Sequence, residues 1–193
     1  MDVYDETHDV KTFTFGSSDG KRFAFEAGQY FLFDVEVDEG VERRCYSISS
    51  SPYRTATFTV TVKRVPGGRI SGWLHDTLVP GTVLKAKGPL GHFVAPNTSW
   101  AKLLLLSAGS GITPVMAMLR DLADRAEPVD VVFLHAARTP LDFVFRHELE
   151  GIARRLKGMR LHLLPENICG ERSWPGLTGR ISTDYIRLAV PDL

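Results

Sequence analysis

From Val10 to Phe93 apolar and polar residues alternate with a period of two. Val10-Lys11-Thr12-Phe13-Thr14-Phe15 follows this pattern, and so does Phe33-Asp34-Val35-Glu36-Val37. The run from Thr57 to Lys63 puts Phe58, Val60 and Val62 on one face and Thr and Lys on the other, as in a half-buried strand rich in β-branched residues. Turn residues separate the runs at Ser17-Ser18-Asp19-Gly20, Asp38-Glu39-Gly40, Pro66-Gly67-Gly68, Pro80-Gly81 and Gly88-Pro89. Several short strands at this spacing predict a closed barrel or a sandwich, interrupted by one short helix near Ile70 to Leu78.

Past Ala95-Pro96-Asn97-Thr98 the period changes. The continuous apolar run Lys102-Leu103-Leu104-Leu105-Leu106 fits a strand buried on both faces. A glycine turn follows, then helical spacing through Met116, Leu119 and Leu122. Val129 to Leu134 reads as a second buried strand and Arg160 to Leu164 as a third. Between them, Pro140 to Leu156 predicts a helix with Leu141, Phe145, Leu149, Ile152 and Leu156 on one stripe. Thr139 suits its cap, Pro140 its first position and Asp142 its positive end. Strands alternating with helices predict a parallel sheet. Two domains are therefore expected, residues 1–97 and 98–193.

The 193 residues are 44% hydrophobic and 24% charged, as in an ordinary globular protein. Lys+Arg and Asp+Glu are both 23, so the electrostatic footprint of a nucleic-acid binder is missing. No apolar stretch is long enough for a membrane span, and the acidic start from Met1 to Glu6 lacks a signal-peptide core. Two cysteines, Cys45 and Cys169, are too few for a disulfide scaffold, a structural zinc or an iron–sulfur cluster, and suit a reducing, cytoplasmic compartment. The six histidines form no HExxH pair, so no metal site is expected.

Three segments carry candidate chemistry. Ser107-Ala108-Gly109-Ser110-Gly111-Ile112-Thr113-Pro114 lies between a strand and a helix. Gly109 and Gly111 allow close backbone approach, Thr113 can cap the helix with Pro114 at its first position, and the free N–H groups there would receive a pyrophosphate. It is neither a Walker loop nor a nucleophile elbow, and Pro114 stands where a full G-x-G-x-x-G has its third glycine; a plain βα loop has even odds on these residues alone. Arg43-Arg44-Cys45-Tyr46-Ser47-Ile48-Ser49-Ser50 joins a guanidinium that can pair with phosphate, a ring that can stack on a flat partner, and hydroxyls. In a strand Arg44 and Tyr46 share one face and Ser47 the other, unless the backbone bends there. A solvated edge strand is the plainer reading. Third, Pro66-Gly67-Gly68-Arg69-Ile70-Ser71 enters the short helix, whose N-terminus could take another phosphate while Trp73, Leu74 and Leu78 plug the core.

Taken together and in order, these segments resemble the ferredoxin–NAD(P) reductase superfamily. Arg44-Cys45-Tyr46-Ser47 is similar to its R-x-Y-S flavin motif, Gly68-Arg69-Ile70-Ser71 to its G-x-x-S pyrophosphate helix, Gly88-Pro89-Leu90-Gly91-His92-Phe93 to the strand closing its barrel, and Gly109 to Pro114 to its nicotinamide-nucleotide turn. The run from Val62 to Ser71 and His135-Ala136-Ala137-Arg138-Thr139-Pro140 resemble the reductase components of Rieske-type oxygenases and hybrid-cluster protein. The resemblance implies an antiparallel Greek-key flavin-binding barrel followed by an incomplete Rossmann-like parallel α/β domain. It implies an oxidoreductase passing electrons from NAD(P)H through FAD to an iron–sulfur domain or protein, with no iron–sulfur cluster in this chain. In that reading Arg44 holds a flavin phosphate, Tyr46 packs on the isoalloxazine and Ser47 hydrogen-bonds its N5. The backbone at Val62 and Lys63 faces the ring or ribityl chain. Gly68, Ile70 and Ser71 line the FAD pyrophosphate, and Gly109, Gly111 and Thr113 place NAD(P)H.

The resemblance also marks departures. Family members continue past Leu193 into a further parallel strand, and Met1 starts part-way into the family's first strand, so a fragment or truncated gene product is expected. A non-catalytic FAD-binding module is then the alternative function. An electron-shuttling subunit of a larger complex would need iron–sulfur cysteines of its own. The further strand would pair with residues 102–106, whose bare edge predicts self-association. Arg138 could meet a 2′-phosphate or be a solvated loop arginine; the nearest relatives mostly use NADH, which is the expected donor.

Overall fold

The computed structural model describes residues 2–37, 40–95, 102–126, 129–169 and 174–191. Strands β1 (Val3–Thr7), β2 (Val10–Gly16), β3 (Tyr30–Val37), β4 (Gly40–Ser47) and β5 (Thr57–Lys63) precede helix α1 (Arg69–Thr77) and strand β6 (Lys85–Leu90). They form two antiparallel three-stranded sheets, ordered β1-β2-β5 and β4-β3-β6. The alternation in the sequence sets the register. Phe13 lies opposite Val60 and Phe15 opposite Phe58, so the apolar faces of β2 and β5 bury together. Phe31 stacks on Phe58 with ring centroids 4.4 Å apart, and Phe15 stacks on Phe58 from 5.4 Å. Ile70 and Leu74 of α1, with Leu78 just past it, bury into this same core.

The two sheets are joined just beyond β4. Ile48 bridges to Val60, and Ser49 N–H donates to Thr59 O at 2.8 Å, so the chain leaves one sheet and enters the other. This joint closes the antiparallel barrel around one core. Gly88 and Pro89, expected as a turn, lie inside β6 instead. The β3–β6 register slips between Tyr30 and Leu32, so these residues mark an irregularity in an edge strand, where proline is tolerated.

After β6 come β7 (Lys102–Ala108), a 3-10 turn at Gly109–Gly111, α2 (Ile112–Arg125), β8 (Asp130–Ala137), a second 3-10 turn at Pro140–Asp142, α3 (Arg146–Arg155), β9 (Met159–Pro165) and α4 (Thr183–Ala189). The chain groups into two compact units, Met1–Pro96 with Thr113–Asp124, and Asn97–Ile112 with Arg125–Leu193. The expected boundary at 97/98 lies outside the described residues. Within the first unit Arg120 Nη1 donates to Ser49 O at 2.5 Å, and Asp124 pairs with Arg54 at 3.6 Å.

In the second unit β7, β8 and β9 form the expected parallel sheet, with β8 central and buried along nearly its whole length. β7 lies at the sheet edge and is covered only in part, with Leu106 39% exposed, where a strand buried on both faces was expected. The predicted helix from 140 to 156 is broken. Phe143, Val144 and Phe145 are all buried, which three successive helical positions cannot achieve on one stripe. Phe145 turns into the left-handed region, with φ of 60°, and α3 starts after it. Leu141 is accordingly 64% exposed, while Leu149 and Ile152 keep the buried face. Thr139 and Asp142 do meet, the threonine N–H and hydroxyl both donating to Asp142 Oδ2 at 3.0 and 2.7 Å, but they close the 3-10 turn. α4 is capped by Ser182, which accepts from Tyr185 N–H at 3.2 Å, and Ala189 and Val190 pack on Val132 and Leu134.

Candidate functional site

Tyr46 and Ser47 end β4 immediately before the joint. Both are part-buried. The Tyr46 ring rests on the core, 6.0 Å from Phe33, and keeps part of its surface open. Burial raises its phenol to about 12, outweighing the opposing pull of Arg44, so the hydroxyl stays protonated at neutral pH. Glu42 and Arg44 share the strand face of Tyr46 by period-two alternation. Arg44 is exposed; its Nη2 donates to Glu42 Oε2 at 3.1 Å and its Nη1 to Arg43 O at 2.7 Å. The other oxygen of Glu42, Oε1, accepts from Arg69 Nη1 at 2.9 Å. Glu42 and Arg69 were not singled out in the sequence; only the alternation with Arg44 and Tyr46 pointed toward Glu42.

Arg69 is the first residue of α1, whose N-cap, Gly68, supplies no side-chain hydrogen bond. No acidic residue stands in the first turn, so the helix start is open to an anion. Ser71 is 7% exposed, with its hydroxyl accepting from Val65 N–H at 3.1 Å and donating to Gly68 O at 3.4 Å. The hydroxyl thus braces the loop that enters α1. Ile70 is buried in the core. Val62 O accepts from His75 Nε2 at 2.9 Å, and Lys63 Nζ pairs with Asp9 at 2.9 Å.

At the end of β7 the chain turns at Gly109, with φ of 50°, and Gly111. The 3-10 turn they form has no side-chain cap and no acid in its first turn. It runs straight into α2 at Ile112, so Thr113 is a buried residue of the helix rather than its cap. A Cβ at Gly109 or Gly111 would meet nothing within 4 Å. Beside this turn, Ser107 and His135 are register partners on β7 and β8, joined by Ser107 Oγ and His135 Nδ1 at 2.9 Å. His135 is fully buried and its Nε2 has no partner among the described residues. Burial pushes its pKa down to about 4, so the ring is neutral.

Arg138 is exposed just past β8. Its carbonyl accepts from Asn167 N–H at 3.0 Å, and Ala137 O accepts from Glu166 N–H at 2.8 Å. An acid that no local pattern announced therefore stands next to Arg138, paired with Arg180 at 3.4 Å. Apart from these residues, a cleft of about 430 Å³ lies between α3, β9 and α4, walled by Trp174, Leu177, His162 and Tyr185; none of the residues singled out in the sequence lines it.

No helix among the described residues is long and apolar enough to cross a membrane. Residues 2–95 match the family model of the oxidoreductase FAD-binding domain and residues 105–192 that of the oxidoreductase NAD-binding domain. The chain is 42% identical over 190 residues to the glycine betaine monooxygenase reductase subunit of Pseudomonas aeruginosa, covering 98% of this chain and 52% of that protein. It is 36% identical over 184 residues to ferredoxin–NADP reductase B of Sorangium cellulosum, covering 95% of this chain and 72% of that protein. The cytochrome P450 reductase GcoB of Amycolatopsis superposes with a TM-score of 0.85 at 29% identity, over 99% of this chain and 56% of that one. The chain spans about half the length of several curated relatives it matches. An antiparallel barrel with its Arg-x-Tyr-Ser strand, a parallel α/β sheet with its glycine turn, and the two domain families matched in that order place the chain in the ferredoxin–NAD(P) reductase superfamily.

Proposed function

We propose that this chain is the FAD- and NAD-binding portion of a reductase that takes a hydride from NADH and delivers electrons singly to the iron–sulfur acceptor of an oxygenase system. The observation that carries this reading is the placement of Tyr46 and Ser47, part-buried at the joint between the two sheets, with Arg44 on the strand face of Tyr46. The residues fit FAD: an exposed guanidinium on β4, a helix start with no side-chain cap and no acid in its own first turn, and an aromatic ring left part-exposed. FAD supplies the exchange between a two-electron donor and one-electron acceptors. The protein supplies placement. Arg44 and the first-turn N–H groups of α1 hold the diphosphate. Tyr46 packs on the isoalloxazine as a neutral phenol, and Ser47 Oγ donates to N5. Gly109 and Gly111 let the turn before α2 approach the dinucleotide's phosphates, and Thr113 follows them in the sequence of α2.

NADH is proposed as the donor because Glu166 stands beside Arg138 at the ends of β8 and β9, and an acid there favours a ribose hydroxyl over a 2′-phosphate. The Glu166–Arg180 pair and Arg138 make the preference testable. The purified chain is titrated with FAD, and flavin absorbance is followed under anaerobic conditions on adding NADH or NADPH. Bleaching by NADH, faster than by NADPH, is the expected result. A chain that binds FAD and is bleached by neither nucleotide is the non-catalytic module, and one that binds no FAD overturns the reading. Recovery of the bleached flavin absorbance on adding an oxidised ferredoxin, which takes the electrons from the reduced flavin, identifies the acceptor class.

A further inference from the structure

Two neighbouring residues on a regular strand point to opposite faces of the sheet. A single ring served by both Tyr46 and Ser47 therefore needs the chain to leave that geometry directly after them. It does so here. β4 ends at Ser47, and the next residues take partners from both sheets: Ile48 N–H donates at 2.9 Å to the carbonyl of Gln29, one residue before β3, and Ser49 N–H donates to Thr59 O on β5 at 2.8 Å. The direction of Ser47 is thus set by whatever fixes the peptides at 48 and 49. Ser49 is fully buried, and each of its polar groups is engaged. Its hydroxyl lies 2.8 Å from Thr59 Oγ1 and 2.9 Å from Thr61 Oγ1, and its carbonyl accepts from Arg120 Nη1 at 2.5 Å. The N–H and hydroxyl contacts come from β5. The carbonyl contact comes from α2, from the stretch Thr113–Asp124 that belongs to the same compact unit as the barrel. It is also the one that carries a charge, and such bonds are about twice as strong as neutral ones. Removing it takes a donor from the carbonyl of a buried residue, a cost that the peptide lowers by turning away.

We propose that Arg120 is a positioning residue for the flavin ring: by holding Ser49 O it orients the peptides behind Ser47 and so aims the Ser47 hydroxyl at N5. This rests on the flavin-site reading above and adds to it a residue that acts through another. The consequence is selective for redox state. N5 of the oxidised ring accepts a hydrogen bond, whereas N5 of the reduced ring carries hydrogen and donates. A well-aimed hydroxyl therefore favours oxidised FAD, and a misaimed one weakens oxidised FAD more than reduced.

The test is the midpoint potential of FAD bound to the whole chain, measured by anaerobic dye-coupled reduction, with thermal unfolding of each variant recorded beside it. Arg120→Met is expected to raise the Kd of oxidised FAD about tenfold more than that of reduced FAD, which lifts the two-electron midpoint by about 30 mV. Arg120→Lys should return part of the shift, since it restores a charged donor without the planar fork. Should the methionine variant fail to fold, the lysine variant carries the same comparison. Ser47→Ala should lift the midpoint at least as far, and in that background Arg120→Met should add nothing. A purely structural arginine would lower the unfolding temperature and leave the potential where it was, and that result overturns the inference. Fully additive shifts in the double variant overturn it too, because Arg120 would then act by another route. Ser47→Ala separates the two levels: if it leaves the potential unchanged, the flavin-site reading fails and takes the inference with it, whereas a shift there with none in Arg120→Met sinks the present inference alone.

Discussion

At Gly68, the entry to α1, an added Cβ would meet Ser71 Oγ at 2.6 Å and Val65 Cβ at 3.0 Å; at Gly111, the entry to α2, it would meet nothing within 4 Å. The two turns look alike in sequence, each a glycine-rich segment opening a helix. Yet the fold itself requires the glycine at 68, where Ser71 braces the loop through Val65 N–H and Gly68 O. At 111 no atom of the described residues lies near the Cβ position to require it. The open space there is where the proposed dinucleotide would approach the backbone. The supports differ too: a serine hydroxyl bonded to loop backbone for α1, and a buried Ser107–His135 side-chain pair beside the turn before α2. A glycine motif can therefore record either packing or ligand access, and only the surroundings tell which.

The contrast can be broken by substitution. The largest effect is expected from Gly111→Val, which should weaken NADH binding on the order of a hundredfold, by analogy with the cost of a 1 Å misplacement, while leaving thermal unfolding unchanged. Unfolding that drops in step with binding would show that Gly111 is structural after all. Next comes His135, whose folded pKa of about 4 lies below the ordinary 6.5. The unfolded chain binds the extra proton in that window, so stability is full above pH 6.5 and lost as pH falls toward 4, by up to about 3 kcal/mol. Urea unfolding at several pH values should show this slope, and His135→Gln should flatten it. A slope kept in that variant assigns it to another group.

Gly68→Ala should cost about 2 kcal/mol through overpacking and reduce FAD affinity along with stability. Loss of FAD affinity at unchanged stability would erase the difference between the two turns. The smallest effect is expected at Gly109, whose φ of 50° penalises a side chain but whose surroundings are open. Gly109→Ala should lower stability by about 1 kcal/mol, and Gly109→Asn by less, because asparagine tolerates the left-handed region. Differential scanning calorimetry of the pair checks both.

The strands β2, β3 and β5 were legible because each buries one face, so polarity alternates along them. β1 was not, since Tyr4 is 58% exposed and neighbouring positions are only part-buried, leaving no contrast to read. α4 has seven residues and only Ala189 buried, too little for a stripe. The break at Phe143 to Phe145 was hidden because Leu149 and Ile152 continue a helical spacing that Leu141 and Phe145 fit only by number. In the site, Arg44, Tyr46 and Ser47 could be read because one strand carries them all. The Glu42–Arg69, Ser107–His135 and Glu166–Arg138 juxtapositions join distant stretches of chain, and no local pattern encodes them.

The crossing at Ile48 and Ser49 has a practical outcome. The aromatic and hydroxyl proposed to grip the yellow ring sit immediately ahead of Ile48, where β4 runs on into the other sheet. Neither sheet can melt alone and leave that grip in shape. Release of bound colour on heating should therefore coincide with loss of the β-sheet circular dichroism signal, making visible absorbance a direct thermometer of barrel integrity.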